Sequence, residues 1–249
     1  PESKRDEIAD ILIEEDTISK IDKNINIEGE VIDAEGKIIA PGLIDIHVHF
    51  REPGFTYKED IISGSIAAAK GGFTTVVCMA NTNPAVDNVA TLNYVNELKE
   101  KSLINILQTA TVTKGLKGTE IVNMEELKKH GAAGFTDDGL PIMDTSIVLN
   151  AMLEAKRLNV PISFHEEDPR LINNPGINEG RISEKLCIKG ATHLAEDVMV
   201  ARDCLIALNT GAKVNFQHIS SGLTVDIIRW AKTMGANITA EASPHHFSM

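Results

Sequence analysis

The stretch LIDIHVHFREPGFTYKEDIISGSIAAAKGGFTTVVCMA covers residues 43–80 and decides the fold class. It contains an apolar strand candidate at 43–50, a segment with helical spacing at 59–70, and a second strand candidate at 74–80. The pair Gly71-Gly72 before the second strand is typical of a helix end. A strand, a helix and another strand in this order predict a parallel βαβ unit.

The same alternation continues along the rest of the chain. Further strand candidates lie at 105–112, 132–138, 160–167, 213–220 and 237–246, and further helix candidates at 88–101, 123–130, 145–158, 194–210 and 222–234. This pattern predicts an α/β fold, a (β/α)8 barrel of the TIM type in which seven strands are present in this sequence. The longest irregular stretch, 167–192, is rich in Pro, Gly and Asn, and we expect a mobile active-site loop there.

The first forty residues have a different pattern. Short alternating pieces, among them ADILIEED (9–16) and EVIDAEGKIIA (30–40), are separated by Gly, Asn and Asp turn signals and predict a small β-rich unit. We therefore expect two parts, a β-rich portion at 1–40 and an incomplete barrel at 41–249.

Composition narrows the classes of function. The 249 residues include 24 Lys and Arg against 36 Asp and Glu, which gives a net charge of −12 and argues against nucleic acid as a partner. No apolar run approaches the ~18 residues that a membrane span needs, so we expect no membrane association of that kind. Three scattered cysteines and the absence of a secretory signal favour the cytoplasm.

Histidines mark the ends of three strand candidates. Since side chains alternate along a strand, His47 and His49 share one face at the end of the first strand and can bind one zinc ion. An isolated HxH pair is more often structural, but His165 and His218 also lie near the ends of strand candidates. Because catalytic groups collect at the carboxyl ends of barrel strands, we expect these four imidazoles to converge.

Carboxylates end another strand candidate, at Asp137 and Asp138. A carboxylate there can bridge two metal ions, although spacing does not decide which of the two does so, and either can instead cap a helix or form a turn. A two-metal site would activate a bridging water and polarise a carbonyl, which indicates metal-assisted hydrolysis.

Two further residues suit an anionic substrate. Arg51 can bind a carboxylate, and Asn81 can hydrogen-bond a ring amide or a carboxylate. Their alternatives are a surface ion pair with Glu52 or Glu59 for Arg51, and a turn within NTNP for Asn81. For His245 and His246 we expect a structural role or a position outside the ligand set.

These residues lie in motifs that resemble the bacterial-type (class I) dihydroorotases of the amidohydrolase superfamily. The resemblance rests on HVHFREPG (47–54), GGFTT (71–75) and NTNP (81–84), and on the later elements GFTDDG (134–139), FHEED (164–168), FQHIS (216–220) and TAEASPHHF (239–247). It implies a small β-sandwich beside the barrel, two zinc ions, and interconversion of N-carbamoyl-L-aspartate and L-dihydroorotate in pyrimidine biosynthesis. Such an enzyme takes a small-molecule substrate, and a homodimer is left open.

Residue by residue, the resemblance assigns His47 and His49 to the more buried metal and His165 and His218 to the other. It places the bridging carboxylate on Asp138 and the binding of the substrate carboxylate on Arg51 and Asn81, whose side chains follow the first two barrel strands.

Two alternatives and one departure accompany the resemblance. Hydantoinases and allantoinases look similar but place a carboxylated lysine at the bridge, and 131–150 contains no lysine. A catalytically inactive scaffold would have lost metal ligands, whereas these are intact. The aspartate that serves relatives as general acid/base belongs to the eighth strand, which we expect beyond Met249, so a chain ending there should be nearly inactive.

Overall fold

A computed structural model describes residues 5–174 and 176–248, and the chain divides into two compact units between Pro41 and Gly42. In the first unit, β1 (Asp10–Glu14) and β2 (Thr17–Asp22) form an antiparallel hairpin with Ile11 opposite Ile21. The alternating piece at 30–40 forms no strand in the described part of this unit; it contains a turn closed by a hydrogen bond from Lys37 N to Ala34 O. Gly36 has a φ of 72° in that turn, which suits glycine and interrupts an extended strand.

The second unit carries the predicted barrel strands in two parallel sheets. The three-stranded sheet has the order β3-β4-β5 and the four-stranded sheet the order β6-β7-β8-β9. The strands are β3 (Leu43–Val48), β4 (Phe73–Cys78), β5 (Asn105–Gln108), β6 (Phe135–Thr136), β7 (Pro161–Phe164), β8 (Lys213–Phe216) and β9 (Ile238–Ala240). A parallel bridge between Ala110 and Phe135 connects the two sheets in strand order. The predicted α/β class is confirmed.

Helices connect successive strands, and their starts follow from local sequence. The helices are α1 (Ile61–Lys70), α2 (Val89–Lys99), α3 (Met124–Lys129), α4 (Thr145–Leu158), α5 (Arg181–Lys185), α6 (Leu194–Thr210), α7 (Gly222–Thr233) and α8 (His245–Ser248). The side chains of Asp60, Asn88, Asn123 and Asp144 each accept a backbone N–H in the first turn that follows. These caps satisfy amide groups that have no partner within the helix. None of the helices in the described ranges is long and apolar enough to cross a bilayer.

The core lies between the parallel strands and the helices. Phe135, Ile162 and Phe216 are almost completely buried on three neighbouring strands, and Met152 of α4 and Cys204 of α6 belong to the same apolar cluster. Because the strands are parallel, their carboxyl ends lie on the same side of this core. The loops that follow those ends are therefore brought together.

The structure shortens several of the predicted strands, the last one most of all, and adds structure to one loop. The strand predicted at 237–246 ends at Ala240, and His245 begins α8. The strand stops there because β8, its pairing partner, ends at Phe216, which lies opposite Ala240. Pro244 then precedes α8, where proline is accepted because the first N–H groups of a helix have no partner within it. The predicted loop at 167–192 contains a 3₁₀ turn (Pro169–Leu171) and α5.

Six residues to which the sequence predictions refer lie outside the described residues. Residues 1–4 belong to the β-rich portion predicted at 1–40. Pro175 belongs to the predicted loop at 167–192, and Met249 is the residue after which we expect the eighth strand with its general acid/base aspartate. That strand and that aspartate therefore stay predictions.

Candidate metal centre

The HxH pair stands at the carboxyl end of β3. His47 lies within the strand and His49 one residue past its end, so both imidazoles project from the same face. Their Nε2 atoms are 3.3 Å apart. Two unprotonated imidazole nitrogens at this distance repel each other, because each presents a lone pair, unless a proton or a cation lies between them.

Asp138 lies next to this pair. It follows β6 by two residues, and its Oδ1 is 3.3 Å from His47 Nε2 while its Oδ2 is 3.4 Å from His49 Nε2. The carboxylate is 4% exposed. A buried carboxylate facing two imidazoles needs compensating positive charge, which protons or a cation provide.

His165 and His218 lie near the same carboxylate. His165 directly follows β7 and His218 lies two residues after β8. The distance from His165 Nδ1 to His218 Nε2 is 2.9 Å, and these nitrogens lie 3.9 and 3.8 Å from Asp138 Oδ1. The structure therefore brings together all four predicted histidines, with Asp138 between the two pairs.

The backbone at His218 is strained, with a φ of 35°. A left-handed conformation of this kind in a residue other than glycine costs on the order of 1–3 kcal/mol and is maintained by surrounding contacts. Here Gln217 N donates to Phe164 O at 3.0 Å and Ile219 N donates to Glu241 O at 2.9 Å. These bonds on both sides fix the peptide units that carry the imidazole.

The donor atoms fit divalent metal ions. His47, His49 and Asp138 form one group, and Asp138, His165 and His218 form a second, with all ligand atoms of each group within 4.8 Å of one another. A tetrahedral ion with bonds of about 2.0–2.1 Å spaces its ligands by roughly 3.3–3.4 Å, which matches the separations in the first group. Imidazole and carboxylate donors suit zinc, and also cobalt or manganese.

The charges of the cluster are coupled. Burial opposes protonation of His47, but hydrogen bonds and charge from Asp138 and Glu241 prevail and raise its pKa to about 9. Burial lowers the pKa of His49 and of His165. Burial also opposes ionisation of Asp138, yet the neighbouring imidazoles of His218 and His47 hold the pKa of Asp138 far below its usual range. The carboxylate is thus ionised and attracts cations.

Asn81 connects the first pair to Asp138. Its Oδ1 lies 3.1 Å from His49 Nδ1 and accepts from Arg51 Nη1 at 3.3 Å. Its Nδ2 donates to the backbone O of Asp138 at 3.1 Å and to Asp138 Oδ2 at 2.9 Å. These contacts occupy the full hydrogen-bonding capacity of the amide, and they place both predicted substrate-binding residues beside the cluster.

A glycine contact aligns the two loops that carry Arg51 and Asn81. Gly54 has a φ of 89°, and a Cβ built there would lie 2.0 Å from Asn83 O. Asn83 N also donates to Pro53 O at 3.1 Å. Only glycine combines this conformation with so close an approach, which explains the glycine in REPG.

Asp137 has a structural role that differs from that of its neighbour. It is buried, and its carboxylate accepts hydrogen bonds from Val112 N at 2.7 Å, Thr113 N at 3.0 Å and Thr113 Oγ1. Burial raises its pKa to about 6, although these hydrogen bonds act in the opposite direction. The carboxylate of Asp137 thus anchors the backbone of the loop after β5, a role that differs from the predicted cap or turn, and the structure brings Asp138 to the histidines.

Two acidic residues near the cluster were not identified from the sequence. Glu241 follows β9, and its Oε2 lies 3.1 Å from His47 Nδ1. Glu196 of α6 accepts hydrogen bonds from Ser220 N and Ser221 N, both at 2.9 Å, and so anchors the loop after His218. No sequence signal pointed to Glu241, because the strand was predicted to continue to residue 246; only the observed end of β9 at Ala240 places this carboxylate just after a barrel strand.

The remaining histidines described do not belong to either ligand group. His246 Nε2 lies 3.3 Å from Ser220 Oγ, and His193 Nδ1 lies 2.5 Å from Asp197 Oδ2. His130 Nδ1 lies 2.9 Å from Glu126 O.

A cavity of about 720 Å³ opens beside the second histidine pair. Its walls include His165, His218, His193 and His246, together with Glu179 from the loop at 167–192. This volume suits a small molecule. The cavity therefore gives a ligand access to the cluster from the side of His165 and His218.

Similarity to known proteins agrees with this geometry. A family model described as Dihydro-orotase-like matches residues 36–223. The chain belongs to the dihydroorotase-like family. It is 60% identical over 252 residues to a dihydroorotase of Clostridioides difficile and 56% identical over 251 residues to one of Clostridium acetobutylicum. Both alignments cover 100% of this chain but 60% and 59% of the relatives, so the chain spans about three fifths of their length.

Solved structures support the same fold. The L-hydantoinase of Arthrobacter aurescens superimposes with a TM-score of 0.82 at 20% identity, over 97% of this chain and 56% of that protein. A D-hydantoinase from Thermus sp. gives a TM-score of 0.69 at 28% identity, over 96% of this chain and 55% of that protein. The first of these likenesses supports the fold alone.

Proposed function

We propose that the protein is a dihydroorotase that interconverts N-carbamoyl-L-aspartate and L-dihydroorotate with two zinc ions. The observation that carries this proposal is the sharing of Asp138 by two histidine pairs from different strand ends. The dihydroorotase relatives at 60% and 56% identity support the choice of reaction.

The residues of this chain would hold the ions in two groups. His47, His49 and Asp138 would hold one ion, and His165 and His218 would hold the other with the same carboxylate. Divalent ions bound there supply Lewis acidity, which polarises a carbonyl oxygen and lowers the pKa of water. The chain's own contribution is a buried, ionised carboxylate and imidazoles aligned before any ligand arrives.

The substrate carboxylate would be bound by Arg51 and Asn81. Arg51 is a permanent cation whose guanidinium fits a carboxylate, and it already donates to Asn81 beside the cluster. Since Asn81 uses all its hydrogen bonds within the protein, binding of a substrate would replace one of them. The cavity next to His165 and His218 would admit the rest of the molecule.

Turnover assays test the reaction, and they need the full-length protein because we expect the general acid/base aspartate beyond Met249. Carbamoyl aspartate and dihydroorotate should be interconverted faster than hydantoin or allantoin is hydrolysed, and atomic absorption should find about two zinc ions per chain. Preferential hydrolysis of hydantoin or allantoin would overturn the choice of substrate.

A second candidate is a hydantoinase-like cyclic amidase, which the likeness to the Thermus sp. D-hydantoinase favours. The same panel of substrates separates the two, because ring preference is measured directly. An inactive scaffold would bind no zinc and turn over none of these compounds.

The free thiols support a proposal on location. Cys78 and Cys204 are buried free cysteines, and Cys187 is an exposed one. We propose that the protein works in the reducing cytoplasm, where an exposed thiol persists. Fractionation of cells that express the full-length protein tests this.

A further inference from the structure

The carboxylate of Glu241 contacts the side of His47 that faces away from the candidate metal ligands. Glu241 Oε2 lies 3.1 Å from His47 Nδ1, while His47 Nε2 lies 3.3 Å from Asp138 Oδ1. The side chains of His47 and Glu241 are 10% and 17% exposed. The imidazole thus stands between two carboxylates, one on each ring nitrogen.

This contact determines which nitrogen of His47 carries hydrogen. An ionised carboxylate only accepts hydrogen bonds, so Nδ1 must be the donor. In the neutral ring, the lone pair then belongs to Nε2, which faces Asp138 and His49. That is the tautomer that a metal ligand requires.

Glu241 is itself held in place by neighbouring strands. Its Oε1 accepts a hydrogen bond from Asn215 Nδ2 at 2.9 Å, and Asn215 Oδ1 accepts one from Thr239 Oγ1 at 2.9 Å. Its backbone N donates to Phe216 O at 3.0 Å. A continuous series of hydrogen bonds therefore runs from β8 and β9 through Glu241 to His47 of β3.

The partner of His49 is different in charge. His49 Nδ1 faces the neutral amide oxygen of Asn81 at 3.1 Å, whereas His47 Nδ1 faces an anion. A carboxylate partner raises the basicity of an imidazole ligand, and loss of such a partner typically lowers metal affinity about 10–100-fold.

We propose that Glu241 is a positioning residue that fixes the ring and tautomer of His47 and thereby strengthens metal binding at the His47, His49 and Asp138 group. This proposal rests on the proposed function only in assuming that this group binds a divalent metal. The identity of the amide substrate does not enter it.

Zinc titration of Glu241→Gln and Glu241→Ala tests the proposal. With Zn²⁺ in competition with a chelator, the tighter site should weaken roughly 10–100-fold, more in the alanine variant, since glutamine retains an acceptor oxygen. Glu167→Gln is the matched control, because Glu167 Oε2 lies 3.6 Å from His165 Nε2 and its side chain is 51% exposed. We expect less than about a twofold change there.

A double-mutant cycle distinguishes action through His47 from a general structural effect. If Glu241 acts through His47, adding Glu241→Gln to His47→Ala should not weaken zinc binding further. The absorption bands of bound Co²⁺ should also shift in Glu241→Gln but not in Glu167→Gln. Circular dichroism and thermal unfolding show whether each variant is folded, and the isosteric glutamine variant is the one expected to fold normally.

Three results would overturn the proposal: wild-type zinc affinity in folded Glu241→Gln and Glu241→Ala, additive losses in the cycle, or no metal binding by the wild-type protein. Absence of metal binding by the wild-type protein would also contradict the proposed function. Wild-type protein that binds zinc but fails to turn over dihydroorotate would contradict the proposed function and leave the role of Glu241 standing.

Discussion

The two histidine pairs around Asp138 differ in how firmly they are held. His47 and His49 each have a second ring nitrogen in contact with another side chain, Glu241 at 3.1 Å and Asn81 at 3.1 Å. His165 and His218 instead contact each other at 2.9 Å, and both line the cavity.

This difference indicates two tasks within one cluster. Imidazole ligands whose outer ring nitrogen contacts another side chain are oriented before a metal ion binds, and they bind it tightly. Ligands that face a cavity remain accessible to a small molecule. The first pair therefore suits a permanently held ion, and the second pair suits the ion that meets the substrate.

The largest expected effect comes from Asp138, which both pairs share. Asp138→Ala should remove both ions. It should lower turnover by more than the roughly 100-fold expected when a residue that only hydrogen-bonds a metal ligand is lost. Atomic absorption and turnover assays measure this. Asp137→Asn is the control, since Asp137 hydrogen-bonds the backbone of Val112 and Thr113 instead of facing the histidines. If Asp138→Ala retained two zinc ions, Asp138 could not be a ligand shared by both.

Removal of one histidine from each pair should have unequal effects. His165→Ala should keep one ion with the tighter of the two wild-type affinities, and His47→Ala should keep one with the weaker affinity. The reason is that both outer nitrogens of the first pair lie 3.1 Å from part-buried partners. In the second pair, His165 Nε2 lies only near the exposed Glu167, at 3.6 Å. Zinc titration of both variants gives the comparison, and the opposite order of affinities would show that the two pairs do not differ as inferred.

Asn81→Ala should weaken the first pair selectively. It removes the contact with His49 Nδ1 and the hydrogen bond to Asp138 Oδ2, so the tighter zinc affinity should fall about 10–100-fold. Titration of Asn88→Ala provides a control of the same chemistry, because Asn88 caps α2 instead. Equal zinc affinities in the two variants would argue against a role of Asn81 in metal binding.

The smallest effect is expected from Gly54→Ala. The new Cβ would meet Asn83 O, so the loops carrying Arg51 and Asn81 must separate, at a cost on the order of 1–3 kcal/mol for the strained backbone. We expect a few-fold rise in KM and a lowered melting temperature. Gly36→Ala in the first unit is the control, because Gly36 has a similar φ of 72° but no atom lies within 4 Å of a Cβ built there. The difference between the two variants therefore reports the clash with Asn83 apart from the backbone strain. A KM unchanged in Gly54→Ala would show that the loop tolerates the shift.

Periodicity predicted most of the barrel because helices and strands bury one face at a fixed spacing. All six long helix candidates and all seven barrel strand candidates have counterparts in the structure. The predicted end of β9 was wrong, since the pattern TAEASPHH continues to alternate after its partner strand β8 has ended opposite Ala240. At 30–40, alternation alone did not produce a strand in the described unit.

The chain order of Asp45, His47 and His49 already places two imidazoles on one face, because the period of a strand is fixed by its backbone. Chain order does not decide whether Asp137 or Asp138 faces the histidines, and it does not show that Glu241 contacts His47. Those choices depend on contacts between residues distant along the chain: Thr113 with Asp137, Asn81 with Asp138, and Glu241 with His47. Such contacts exist only after the strands are arranged side by side, since hydrogen bonds are directional and act over about 3 Å.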